Sequence, residues 1–206
     1  HTGVTSEGLY LIRSGKAHDG DVISFWIRFV AASLLHPNAA QGGLKGSLLG
    51  VNHLIEFPQV DGAQDLLQKL LSWYREGLTR PLHFFPGTAL QYADGIEKKD
   101  PGAVLEELRN KWDDPNDRGY RESQDEYYAR AFTCGEEALD REFVTLARAI
   151  AVRARKGMVV EDFEKKKTKK QERKGESKQE CEQAGKKELK KEVKKESKRE
   201  VKKEIK

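Results

Sequence analysis

The chain of 206 residues has only two cysteines, Cys134 and Cys181, and they stand in compositionally different parts of it. Two such distant cysteines do not form the framework that small secreted domains use, so we expect a reduced, cytoplasmic protein. No run of about 18 apolar residues is present, so no membrane span is predicted. No basic and then apolar leader follows His1, and we expect a processed chain or a piece of a longer one.

Positive charge is scarce outside the C-terminal end of the chain. The segment 162–206 has 19 Lys and Arg against 11 Asp and Glu, a net charge of +8. The segment 1–161 has 19 basic and 23 acidic residues, a net charge of −4. The pI near 8.9 therefore comes from the C-terminal segment, and the rest lacks the basic excess that binds nucleic acid by bulk electrostatics.

Apolar periodicity in the first third predicts strands alternating with a helix. Gly8–Arg13 has the composition of a strand, and Asp21–His36 repeats apolar residues at helical spacing behind two acidic residues. The segment 38–46 is predicted as a glycine-rich loop, and Ser47–Phe57 as one strand with Gly50 as a bulge. Strands and helices in this order predict an α/β fold with a small mixed sheet flanked by helices.

The next helix is predicted to begin at a capping box, Asp61-Gly-Ala-Gln64, and to end at Gly77 in the left-handed cap position. Its apolar residues are placed on one face: Leu66, Leu67, Leu70, Leu71 and Tyr74. A short strand is predicted over Pro81–Phe85, followed by a helix with Pro86 in its first turn. Further helices are predicted over Pro101–Trp112, Gln124–Phe132 and Glu136–Arg155.

Residues 158–206 are predicted as a separate Lys/Glu-rich tail after a first domain of residues 1–157. Residues 188–206 repeat a four-residue unit, ELKK, EVKK, ESKR, EVKK and EIK. Four residues exceed the helical period of about 3.6, so the single apolar stripe drifts by roughly 40° per repeat and gives no sustained coiled-coil seam. Disorder or a fluctuating helix is predicted.

One family resemblance rests on the order of motifs in the middle of the chain. Residues 70–92 read LLSWYREGLTRPLHFFPGTALQY, with Tyr-Arg-x-Gly-Leu-x-x-Pro-Leu followed by Phe-Phe-Pro. An acidic and aromatic run, Glu122–Phe132, follows downstream. Over about residues 5–150 this succession resembles the C-terminal region of the exodeoxyribonuclease V gamma subunit, RecC of the RecBCD helicase–nuclease. The resemblance ends near Ile150, where the sequence becomes basic and repetitive.

The resemblance implies a fold of the PD-(D/E)XK nuclease type that has lost its catalytic residues. In active members an Asp/Glu-x-Lys strand holds a divalent ion that activates water. On the corresponding strand here, Leu11 stands at the acidic position and Arg13 at the lysine position. Leucine offers no oxygen to Mg²⁺, and arginine does not lose its proton, so this placement predicts a degenerate site with no catalytic residues and no metal.

The resemblance also implies the function and the partners. A RecC-type subunit holds the helicase subunits, RecB and RecD, and guides double-stranded and single-stranded DNA in double-strand-break repair and recombination. No cofactor is expected in this chain, because ATP and Mg²⁺ are used by the partner subunits. Arg75 and Arg80 flank the predicted turn from helix to strand and are candidate contacts to DNA phosphate.

Other interpretations of the same residues stay open at this point. One is an active nuclease, for which Glu56 is the best carboxylate, although no lysine stands two residues on. Another is an interaction or nucleic-acid-binding protein that works through its basic tail. Phe84 and Phe85 fit either a wedge that parts DNA strands or, as we favour, a buried strand edge.

Overall fold

The computed structural model describes residues 2–5, 8–35, 44–58, 60–114 and 121–163. Its contacts divide the chain into two compact units, His1–Glu161 and Asp162–Lys206. Residues 164–206, which include the repetitive segment 188–206, and most of the loop predicted at 38–46 lie outside the described residues. Their predictions therefore stay predictions.

Five strands form one mixed sheet in the order β1-β2-β3-β4-β5. The strands are β1 (Thr2–Val4), β2 (Gly8–Ile12), β3 (Lys45–Leu49), β4 (His53–Phe57) and β5 (Val159–Asp162). Pairing is antiparallel between β1 and β2, parallel between β2 and β3, and antiparallel between β3 and β4. The sheet confirms the α/β class, and β5 extends it into the segment 158–206 that the sequence assigned to the tail.

Eight α-helices are described. They are α1 (Asp19–Leu35), α2 (Ala63–Gly77), α3 (Pro86–Ile96), α4 (Pro101–Asp113), α5 (Glu126–Ala131), α6 (Gly135–Ala138), α7 (Arg141–Ala147) and α8 (Arg153–Arg155). A 3₁₀ turn, Glu122–Gln124, precedes α5, and a π-helical turn, Arg148–Val152, joins α7 to α8. No described helix is long and apolar enough to cross a membrane.

Helix α1 covers one face of the sheet because both present large apolar side chains. Phe25 and Phe29 are fully buried, and their rings lie 5.6 Å and 6.4 Å from that of Phe57 on β4. On β4, Ile55 and Phe57 are buried and Glu56 between them is exposed, because successive side chains of a strand point to opposite faces of the sheet. Gly46 on β3 lies directly under the Phe29 ring, where a Cβ atom would come within 2.8 Å of it.

The prediction of one strand over Ser47–Phe57 was wrong. The segment is a hairpin in which β3 and β4 pair with each other, Leu49 opposite Leu54. The turn between them is anchored from outside, because the Asn52 side chain accepts a hydrogen bond from the Ala17 backbone N–H at 3.0 Å. Gly50 is therefore part of a chain reversal and is not a bulge in a continuous strand.

Both ends of α2 differ from the sequence prediction. Its N-cap is Gly62, with φ 64° and no side-chain hydrogen bond to the cap, so the predicted capping box does not form. Gly77 does not take the left-handed cap position, since among the described residues only Gly62 and Gly157 have positive φ. Hydrogen bonds from Leu78 to Tyr74 and from Arg80 to Glu76 continue the helical turn past Gly77.

The predicted strand over Pro81–Phe85 is also wrong, because the segment pairs with no described strand. Phe85 is instead fully buried among aromatic side chains of the helices. Its ring centroid lies 4.6 Å from Trp112, 4.9 Å from Tyr128, 5.3 Å from Phe132 and 6.2 Å from Phe143. A residue so enclosed has no free surface with which to part DNA strands.

The helical second half follows its local start signals. Helix α3 begins with Pro86 as predicted, and α4 begins with Pro101 behind Asp100, whose carboxylate accepts from the Gly102 and Ala103 N–H groups. The predicted helix Glu136–Arg155 is divided between α6 and α7, where Asp140 caps α7 by accepting from the Glu142 and Phe143 N–H groups.

Candidate functional site

Leu11 and Arg13, the two positions that the sequence analysis assigned to a degenerate nuclease motif, lie on and just after β2. Leu11 is half-buried and packs against the core, beside Leu48 in the parallel register with β3. The Arg13 backbone N–H donates to the Leu49 carbonyl at 2.9 Å, and its guanidinium forms an ion pair with Asp21 of α1. Both side chains therefore have structural partners, and neither supplies an oxygen ligand.

Glu56, the carboxylate of the alternative nuclease interpretation, is exposed on β4 opposite Ser47. The residue two positions later is Pro58, so the strand provides no lysine next to it. Within the ranges that the structure describes, no group of three or more His, Cys, Asp or Glu side chains is placed to hold a metal ion.

Helix α2 carries a second apolar surface besides the one that it packs into the core. Ala63, Leu66 and Leu70 are buried. Leu67, Leu71, Tyr74 and Leu78 repeat at intervals of four, three and four residues; we call these four residues the α2 apolar face.

Most of the α2 apolar face is open to solvent. Leu67 is half-buried, whereas Leu71 is 50% exposed, Tyr74 65% and Leu78 70%. Adjacent large apolar side chains at these exposures are typical of a protein interaction site. The sequence pattern placed Leu71 and Tyr74 on one apolar face with Leu66 and Leu70. In the structure Leu66 and Leu70 are buried, whereas Leu71 and Tyr74 are exposed.

Arg75 and Arg80 lie at and beyond the border of the α2 apolar face. Arg75 is exposed and stands one helical turn from both Leu71 and Leu78. The Arg80 guanidinium is engaged by two carboxylates, with Nη2 donating to Glu142 Oε1 at 2.9 Å and Nε to Glu76 Oε1 at 3.0 Å. The hydrogen bonds to Glu142 and then Glu76 raise the pKa of Arg80. A phosphate would have to compete with both carboxylates for Arg80, so Arg75 is the more accessible of the two.

The comparison with protein families matches residues 1–97 to the family described as the RecC C-terminal domain. These 97 residues, a little under half of the chain, are similar to that domain. The match confirms the resemblance to RecC and covers Leu11, Arg13, α2 and α3. At the level of the family it indicates part of a subunit of the multi-subunit RecBCD complex, which acts in DNA repair.

The second half of the chain has no counterpart in the matched family domain. Residues 98–206, with the Glu122–Phe132 run, lie beyond the family match. The search of curated proteins found no match.

Sequence reasoning missed that α2 has more apolar residues than one buried face requires. At about 100° per residue, the apolar residues of α2 cover an arc of roughly 160° around the helix axis, with Trp73 at one edge and Leu71 at the other. This arc is wider than a helix needs for a single contact. That width was the available signal. Which part of it stays uncovered depends on the neighbours of α2 in the fold.

Proposed function

We propose that this chain is a non-catalytic part of a RecC-type subunit that helps to hold the helicase subunits of a RecBCD-type complex together. In this proposal it guides DNA strands during double-strand-break repair and recombination, while ATP and Mg²⁺ serve the partner subunits. The observation that carries the scaffolding role is the exposed α2 apolar face within the family match.

The degenerate nuclease motif supports the non-catalytic part of the proposal. Mg²⁺ takes oxygen ligands, and Leu11 offers none at the position where the nuclease motif has a carboxylate. Arg13 keeps a positive charge, but its guanidinium is already paired with Asp21. Residues that pack and pair in this way stabilise the sheet against α1.

The α2 apolar face supports contact with a protein more than direct contact with DNA. Large apolar side chains bind partners by removing their surface from water, and aromatic residues such as Tyr74 are frequent among residues that dominate binding. The unit 1–161, with its net charge of −4, lacks the excess of Lys and Arg that general DNA binding requires. Guidance of DNA would then rest on local groups such as Arg75.

Charge introduced into the α2 apolar face is expected to weaken assembly strongly. With Leu71→Glu and Tyr74→Glu combined, we expect binding to the co-expressed helicase subunits to weaken on the order of a hundredfold or more, because two anchoring side chains are lost and two charges are buried. Co-purification through a tag on a helicase subunit measures this. Since both residues are at least half exposed, the melting temperature should remain close to that of the unchanged chain.

The matched control places the same charge on the polar side of α2. Gln68→Glu combined with Ser72→Glu adds two carboxylates at exposed positions and should leave co-purification unchanged. Equal loss in both double variants would indicate a general charge effect. Full retention of co-purification after Leu71→Glu and Tyr74→Glu would show that the α2 apolar face takes no part in the assembly.

The purified chain is expected to show no Mg²⁺-dependent cleavage of linear DNA, because Leu11 cannot help to hold the ion. Degradation of labelled duplex and single strands with and without Mg²⁺ measures this. Cleavage that survives further purification and is lost in Glu56→Gln would instead establish the active-nuclease interpretation.

A further inference from the structure

A cavity of about 730 Å³ lies between the starts of α1 and α3, the end of α4 and the segment that leads into α5. Leu108, Trp112 and Tyr128 supply apolar and aromatic surface to it, and Arg121 borders it. Neither Leu11 nor Arg13 nor any residue of the α2 apolar face lines the cavity. The function proposed above does not use it.

Arg121 is the unusual group in this cavity. It is only 9% exposed, and among the described residues its one hydrogen bond goes from Nη1 to the Asp114 carbonyl. Its Nε is buried without a hydrogen-bond partner, and no described carboxylate forms an ion pair with it. Buried guanidinium groups are normally paired, because loss of hydration is costly without a counter-ion. The described residues thus leave a place for an anion.

Two of the three acidic residues that line the cavity, Glu122 and Asp125, cap helices. Glu122 caps α3, accepting from the Gly87 N–H at 2.9 Å and from the Thr88 N–H and hydroxyl, both at 2.8 Å. Asp125 caps α5, accepting from the Tyr127 N–H at 2.9 Å. These carboxylates are directed to helix N-termini, where the backbone dipoles stabilise their charge.

We propose that the cavity binds the C-terminal residue of a partner polypeptide, with its α-carboxylate on Arg121 and an aromatic or aliphatic side chain against Leu108 and Trp112. A terminal residue has its carboxylate and its side chain on the same carbon atom, so one compact cavity can hold both. Arginine is suited to this role because its planar fork matches a carboxylate. The inference is independent of assembly with helicase subunits.

A single carboxylate suits this cavity better than nucleic acid. Asp19, Glu122 and Asp125 line the cavity together with Arg121 and Lys111, so the carboxylates outnumber the Lys and Arg cations by one. Repeated phosphates would meet these carboxylates as well as Arg121. The Lys111 ammonium is also engaged, donating to the Gln91 side-chain oxygen at 2.7 Å. One negative charge beside an apolar group avoids most of this repulsion.

Four small probes test the proposal on the unchanged, full-length chain by calorimetry or ligand-detected NMR. N-acetyl-phenylalanine should bind with a dissociation constant on the order of 1 mM and at least about tenfold more tightly than its uncharged amide, because a hydrogen bond to a charged group is lost in the amide. N-acetyl-aspartyl-phenylalanine amide, with an internal carboxylate, and inorganic phosphate should bind more weakly than the terminal acid.

Arg121→Met separates a ligand-binding role from a structural one. The variant should lose the preference for acid over amide while keeping an equal or higher melting temperature, because an apolar side chain replaces a buried charge that has no counter-ion among the described residues. A structural arginine would instead lower the melting temperature on replacement. The comparison of acid with amide uses the unchanged chain, so it stands even if the variant does not fold.

Three results would overturn the inference. Equal affinities for the acid and the amide would show that the carboxylate is not recognised. An unchanged preference for the acid in a folded Arg121→Met variant would show that Arg121 does not bind the carboxylate. Tighter binding of phosphate or of the internal carboxylate would assign the cavity to a different anion.

Discussion

Replacement of Phe85 by alanine is expected to lower the free energy of unfolding by about 3–5 kcal/mol. Phe85 is fully buried, and four aromatic rings surround it. Their centroids lie between 4.6 Å (Trp112) and 6.2 Å (Phe143) from the centroid of the Phe85 ring. Alanine would leave a cavity that the neighbouring helices cannot fill without moving. It would also remove the edge contacts to Tyr128 and Phe132, each worth about 0.5–1.5 kcal/mol beyond burial.

Urea denaturation followed by circular dichroism measures this effect, and Phe84→Ala is the matched control. Phe84 is the adjacent phenylalanine, but it is only partly buried against the core. Its replacement should therefore have a clearly smaller effect. Similar losses in the two variants would mean that Phe85 does not stand at the centre of the aromatic cluster.

Replacement of Gly46 by alanine is expected to lower the free energy of unfolding by about 1–3 kcal/mol or more. The new methyl group would lie 2.8 Å from Cδ2 and 2.9 Å from Cγ of Phe29. Phe29 is itself fully buried between α1 and the sheet, so its ring has no open space to enter. Either the helix moves away from the sheet or the ring leaves its preferred position.

Gly3→Ala is the control, since Gly3 also lies in the sheet but a Cβ there meets no heavy atom within 4 Å. A thermal or urea transition of each variant should separate the two positions. Combining Phe29→Leu with Gly46→Ala should recover part of the loss, because residues in contact have non-additive effects. Strictly additive effects would contradict the close approach of α1 to β3.

Elements with local signals were predicted well from the sequence. Helix α1 has acidic residues at its start, while α3 and α4 begin with proline; each was predicted within two residues of its observed start. Strand β2 was predicted with similar accuracy from its apolar run. These signals act within one or two turns of chain, so they do not need the rest of the fold.

The errors came where distant segments decide the outcome. Leu48 and Ile55 were assigned to one strand because the apolar residues continue past Gly50, yet they pair across a hairpin whose turn is held by Ala17. The segment ending at Phe85 has the composition of a strand, but no described strand lies beside it and the aromatic cluster of the helices encloses its last residue. Pairing partners and packing neighbours of this kind leave no local mark in the sequence.

Composition and spacing alone determined that position 11 holds no metal-binding oxygen and that α2 has a wide apolar surface, because side-chain chemistry and helical period are properties of the chain itself. Only the tertiary structure decided that Leu71 and Tyr74 stay uncovered, and that Arg121 is enclosed with no counter-ion among the described residues. Exposure and pairing depend on which distant segments come to lie against a side chain, and that is settled when the whole domain packs.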